Sequence, residues 1–144
     1  MKYSNKTILR FYQLLGKLFY AAAAVDKLIR KEELEALRNS VKAQWVAFDE
    51  TFDEFETDSA YQIEIVFDWL SDKHPDPGKA IHSLQIFKEK YPELFSEKVK
   101  VMIMQTASSI SSSFAGKNKS ELVFLSRLER ALEESETHKT LVLK

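Results

Sequence analysis

"LFYAAAAVDKLIRKEELEAL", residues 18–37, sets a bulky apolar triplet and four alanines before a single aspartate, then resumes with a glutamate pair between leucines. Apolar residues recur at helical spacing on both sides of Asp26, and no glycine or proline interrupts them. Neither residue type occurs anywhere between Lys17 and His74, a stretch in which a sheet protein would need hairpin turns. The stretch therefore reads as two helices joined by a short turn, and the chain as all-α.

Working outward, Ile8, Phe11, Leu15, Leu18, Phe19 and Ala22 predict a first helix over about residues 7–26. Its other faces are also apolar, which makes it central rather than peripheral. Leu34, Leu37, Val41, Trp45, Phe48, Phe52 and Phe55 predict a second helix from Lys31, either unbroken to residue 56 or bent near Ala47. Ser59 and Gln62 fit a capping box for a third helix with Ile63, Val66, Phe67 and Leu70 on one face. In "HPDPG", Asp76 is expected to cap a fourth helix with Pro77 in its first turn and Ile81, Leu84 and Phe87 buried. Ser96 is expected to start a long helix to Phe114. A last one, residues 120–134, turns Leu122, Leu125, Leu128 and Leu132 inward. These elements make one helical domain, residues 1–136, of about six or seven helices, followed by a tail over 137–144.

The chain has 144 residues, long enough for one well-buried core. Its 21 basic and 22 acidic residues leave a formal charge of -1, which gives no support to nucleic-acid binding. The absence of cysteine removes disulfides and thiolate metal sites and accords with a cytoplasmic location. Lys2, Lys6 and Arg10 precede an apolar run in the manner of a signal peptide, but Lys17 cuts that run to "LFYAAAAV". This is far short of the ~20 residues that span a bilayer, so no membrane insertion is expected.

"AAAAVDKLIRKEEL" aligns with "ISSSFAGKNKSELV" at an offset of 89 residues, and the apolar positions after the turn align better at 88. The match is an internal pseudo-repeat, degenerate in detail. Small residues in both copies permit a close helix crossing, and the serines can return their hydroxyls to backbone carbonyls. "FYAAAAVDKLIRKEELEAL" and its second copy near "SSSFAGKNKSELVFLSRL" resemble the TerB-like tellurite-resistance family, best over residues 10–45 and again near 107–128. That family's signature is an alanine-rich helix, an Asp-Gly turn and a Glu-rich helix start. The resemblance implies a compact helical bundle linked to stress responses, with a divalent cation such as calcium or magnesium held by acids. It places those acids at Asp26, Glu32 and Glu33, with Glu121 as the counterpart in the second half. Lys27 stands where the family has its turn glycine, and Ala115 where the second copy would have its acid.

Asp26 has two readings. At a helix C-terminus a carboxylate is unfavourable by roughly 0.3–1 kcal/mol, and the next helix has no Ser, Thr, Asp or Asn to cap it. Asp26 therefore either accepts that helix's free N–H groups or serves as a cation ligand. "DETFDEFETD", residues 49–58, is either a solvated helix face or a docking face for a basic protein partner, through Asp49, Glu50, Asp53 and Glu54. His74, His82 and His138 are scattered, no catalytic motif occurs, and Trp45 and Trp69 are expected in the core. The expected function is a non-enzymatic interaction or stress-sensing module. A small carboxylate-metal hydrolase and a structural homo-oligomer are the alternatives.

Overall fold

A computed structural model describes residues 4–25, 29–49, 59–112 and 119–133. Among the described residues the fold is all-α, a compact bundle of six helical rods without a strand. Helix α1 is Asn5–Ala24. The second rod joins α2 (Lys31–Ser40), a π-helical turn (Val41–Trp45) and α3 (Val46–Asp49) without interruption. Helices α4 (Gln62–Lys73), α5 (Ala80–Lys90), α6 (Glu97–Ser112) and α7 (Lys119–Glu133) follow.

Helix α1 is the axis of the bundle, packing on α4, α5, α6 and α7. Its sequence dictates this position, because Phe11, Tyr12, Leu15, Leu18, Phe19 and all four alanines are buried and leave few faces for solvent. Ser4 starts it by accepting the Thr7 amide at 3.1 Å. The helix approaches α4 closely at Gly16. A Cβ there would lie 2.8 Å from both the Ile63 carbonyl oxygen and Val66 Cβ on α4. Helix α1 also packs on α6, and Ala21–Ala24 and Ala107 are buried. Ser111 returns its hydroxyl to the Ala107 carbonyl at 2.9 Å, as the serine run suggested.

The second rod does not bend at Ala47; its irregularity comes earlier, at the π turn. Leu37, Val41 and Trp45 recur every four residues, and in an α-helix each such step drifts about 40° around the axis. A wider π turn cancels the drift and keeps all three in the core. Trp45 then reaches the centre. Its indole N–H donates to Thr106 Oγ1 at 3.0 Å, and its ring lies 6.5 Å from Phe11 in an edge-on arrangement. Phe52 and Phe55 lie outside the described residues.

Several helix starts differ from the sequence reading. Ser59 and Gln62 make no capping box; a 3₁₀ turn over Ser59–Tyr61 leads into α4 instead. Asp76 is not the N-cap of α5. Its Oδ1 accepts the Gly78 amide at 2.9 Å in a turn that precedes the helix. Ser96 does open α6, accepting the Val99 amide at 3.3 Å. On α7 the inward line is Glu121, Phe124, Leu125, Leu128, Ala131 and Leu132, whereas Leu122 is 54% exposed. Tyr20 ties α1 to the α4–α5 loop by donating to the Pro75 carbonyl at 2.7 Å. Burial, aided by the Asp76 carboxylate, raises its phenol pKa and keeps it a donor.

Candidate interaction surface

Helix α4 is apolar on two opposite sides. Ile63 and Phe67 are fully buried, with Leu70 packed against the core beside them. Trp69 is two residues beyond Phe67, about 200° around the helix, and it faces solvent. Tyr61 (36% exposed), Ile65 (56%) and Trp69 (60%) are spaced by four residues and form a second apolar line. The expectation that Trp69 anchors the core is therefore corrected: the core side of α4 is already filled. The line is legible as a second i, i+4, i+8 series in "YQIEIVFDW", although spacing alone does not say which of two apolar sides of a helix meets the core.

Charge is unevenly placed around this line. The Lys73 ammonium lies 5.9 Å from the centre of the Trp69 ring on one edge. Glu64, Asp68 and Asp72 occupy the other. Glu64 meets Arg38 of α2 at 3.5 Å. Burial raises its carboxyl pKa, opposed by Arg38 and Lys42 and reinforced by Asp68. Asp68 and Asp72 are exposed and have no ion-pair partner among the described residues. Residues 49–73 hold nine carboxylates and one lysine, a net charge of -8, so the rest of the chain carries +7. Of the acids proposed for docking, Asp49 ends α3, while Glu50, Asp53 and Glu54 lie outside the described residues.

Of the acids expected at a cation site, two lie among the described residues. Asp26 lies outside the described residues. Glu32 is exposed at the start of α2, whereas the adjacent Glu33 is 2% exposed and accepts the Arg30 amide on its Oε1 at 2.6 Å. Glu33 thus answers one of the free N–H groups at the start of α2 from within the helix. The Arg30 side chain has no acceptor to return, so only half of a capping box forms. Glu121, at the same third position of α7, is also 2% exposed. Lys31 and Lys119 thus each open a helix whose third residue is a buried glutamate. The spacing of these two starts is 88, which pairs Glu33 rather than Glu32 with Glu121. Among the described residues, no three His, Asp or Glu side chains converge as metal ligands would.

Elsewhere, an open groove of about 580 Å³ runs between the π turn with α3 and the start of α6. Phe48 and Met102 line it, with the Lys98 ammonium 6.0 Å from the Phe48 ring centre. His74 sits in the turn after α4 and His82 on the exposed side of α5, while His138 lies outside the described residues. No helix among the described residues is long and apolar enough to cross a membrane. The chain matches no known protein family, no characterised protein and no solved structure in the comparisons made.

Proposed function

We propose that this chain is a non-enzymatic helical interaction module, TerB-like in plan with an internal pseudo-repeat, and that it docks a protein partner on the outer face of α4. One observation carries the reading: Tyr61, Ile65 and Trp69 form a continuous apolar line in water on a helix whose other side is committed to the core. Aromatic residues exposed in this way are enriched at protein interfaces and disfavoured elsewhere on surfaces. The acids Asp49, Glu50, Asp53 and Glu54, which precede α4 in the sequence, belong to the same proposal as contacts for a basic partner. Modulation by calcium or magnesium at the Asp26 turn is its second arm. It draws on Asp26 and Glu32, because Glu33 is engaged with Arg30.

The test is co-purification from the native cell after crosslinking, comparing the wild type with Ile65→Ser/Trp69→Ala. Both residues are exposed, so folding should be unchanged. A partner recovered in constant proportion with the wild type and lost from the variant is the expected result. Identical recovered sets would refute the assignment of the face. The cation arm is checked separately: calcium should raise the melting midpoint of the wild type by mass action and leave Asp26→Asn unmoved. No rise in the wild type would remove that arm alone.

A further inference from the structure

Resting on the interaction-module reading, we infer that the partner element received by α4 is a basic amphipathic helix, with an aliphatic face flanked by Lys or Arg. Three features of the face select it.

The first is shape. Residues at i, i+4 and i+8 form a ridge on a helix surface, and such ridges pack into the matching grooves of a second helix at a crossing angle near -50°. From Tyr61 to Trp69 the ridge extends for about 12 Å, or two turns. This length suits a helix laid across it, with contacts at i, i+3, i+4 and i+7.

The second is charge. Asp68 and Asp72 stand exposed and unpaired among the described residues along one edge of the ridge. The wider segment 49–73 is at -8 in a chain of -1. Lysines or arginines beside the partner's apolar face would meet Asp68 and Asp72. The same two carboxylates disfavour anionic lipid and nucleic-acid phosphate at this edge.

The third concerns a second copy of this chain. A two-fold dimer presents the same patch from both subunits. Closed over this face with the two copies of α4 antiparallel, it sets Asp68 and Asp72 against their own copies, which disfavours self-pairing.

The test titrates two synthetic helical peptides of about 18 residues, long enough for several turns, into the full chain by calorimetry. Both present leucines at i, i+3, i+4 and i+7; one carries lysines beside them and the other glutamates. The expected result is that the lysine peptide binds at least about tenfold more tightly at low salt, since opposed like charges are costly. That gap should narrow in about 1 M salt, where the Debye length is near 3 Å. Ile65→Ser/Trp69→Ala, which keeps every acid, should weaken the lysine peptide about tenfold or more. Asp68→Asn/Asp72→Asn should reduce the preference between the peptides.

If both peptides bind alike and both are lost in the apolar variant, the basic partner is overturned while α4 stands as a docking face. If the lysine peptide binds the apolar variant as well as the wild type, the attraction is diffuse charge and the inference fails. Failure of both peptides also overturns it. Concentration-dependent dimers that vanish in Ile65→Ser/Trp69→Ala would assign the face to a second copy instead.

Discussion

Replacing Gly16 by alanine sets two opposing effects against each other, and the structure decides the sign. Alanine is the better helix former, worth about 0.8–1.0 kcal/mol over glycine in a helix interior. At Gly16, however, the added carbon would sit 2.8 Å from the Ile63 carbonyl oxygen, 2.8 Å from Val66 Cβ and 3.1 Å from Val66 Cγ1. Comfortable carbon contacts begin near 3.5 Å, so the overlap is roughly 0.7 Å against two atoms. Both are fixed to the α4 backbone, and no rotamer change removes them. Helix α4 must move away from α1 as a unit, loosening Ile63 and Phe67, which are fully buried beneath it. Overpacking of this kind costs about 1–3 kcal/mol, which exceeds the propensity gain.

The net expectation for Gly16→Ala is a loss of roughly 0.5–2 kcal/mol. At about 2–4 °C per kcal/mol for a chain of this size, the melting midpoint should fall by roughly 1–8 °C. Thermal unfolding followed by circular dichroism measures it, with Gln13→Ala as control. Gln13 is exposed on the same helix, so that change reports propensity alone and should leave the midpoint nearly constant. A Gly16→Ala midpoint at or above that of the wild type would show that α1 and α4 do not approach as described.

Three further outcomes follow from single positions. Glu33→Ala removes the acceptor of the half-buried Arg30 amide and should destabilise by about 0.5–2 kcal/mol, with Glu33→Gln recovering much of it; equal losses in denaturant titration would deny the cap. His74 is left-handed at φ 55°, so His74→Gly should stabilise by roughly 0.5–1 kcal/mol after the added freedom of the unfolded chain is counted. A lowered midpoint would refute that. For Glu64, the folded carboxyl holds its proton more tightly than the unfolded one. Its penalty is absent below the ordinary value and complete above the raised one. Wild-type stability relative to Glu64→Gln should therefore fall as pH rises from the usual carboxylate range, about 4.3. A difference that does not change with pH would contradict the burial of Glu64.

Where one face of a helix had one task, the sequence was legible. Trp45 and Leu84 were placed in the core from spacing alone, and both are fully buried. Helix existence and order followed from apolar periodicity, and the central position of α1 from its apolar circumference. What escaped depends on tertiary neighbours. Gly16 reads as a mere interruption of an apolar run until α4 lies against it. The π turn is invisible in composition, since Val41–Trp45 contains no unusual residue, and only the need to hold Trp45 in phase explains it. Trp69 was misplaced because periodicity reports that a residue is apolar, not whether its side of the helix has a neighbour. The Asp76 error is of another kind, since an Asp-Pro-Gly sequence serves a turn as well as a helix start.

The residues that carry the resemblance are the ones folding most fully explains. The alanines let α1 pass through the centre of the bundle. Glu33 closes the start of α2 from the inside, and Glu121 is buried at the corresponding position of α7. A glutamate three residues into a helix reaches the backbone N–H groups that every helix start leaves unsatisfied, so a pattern of small residues, turn and buried glutamate can arise from helix construction alone. It therefore gives little information about chemistry. Tyr61, Ile65 and Trp69 are the reverse case, for burial and hydrogen bonding of the described chain give them no structural task, and hydration of so much aromatic and aliphatic surface is unfavourable at about 25 cal/mol per Å². Such a line persists more readily where association removes it from water. The functional weight of the proposal consequently falls on α4, outside the residues that resemble a family.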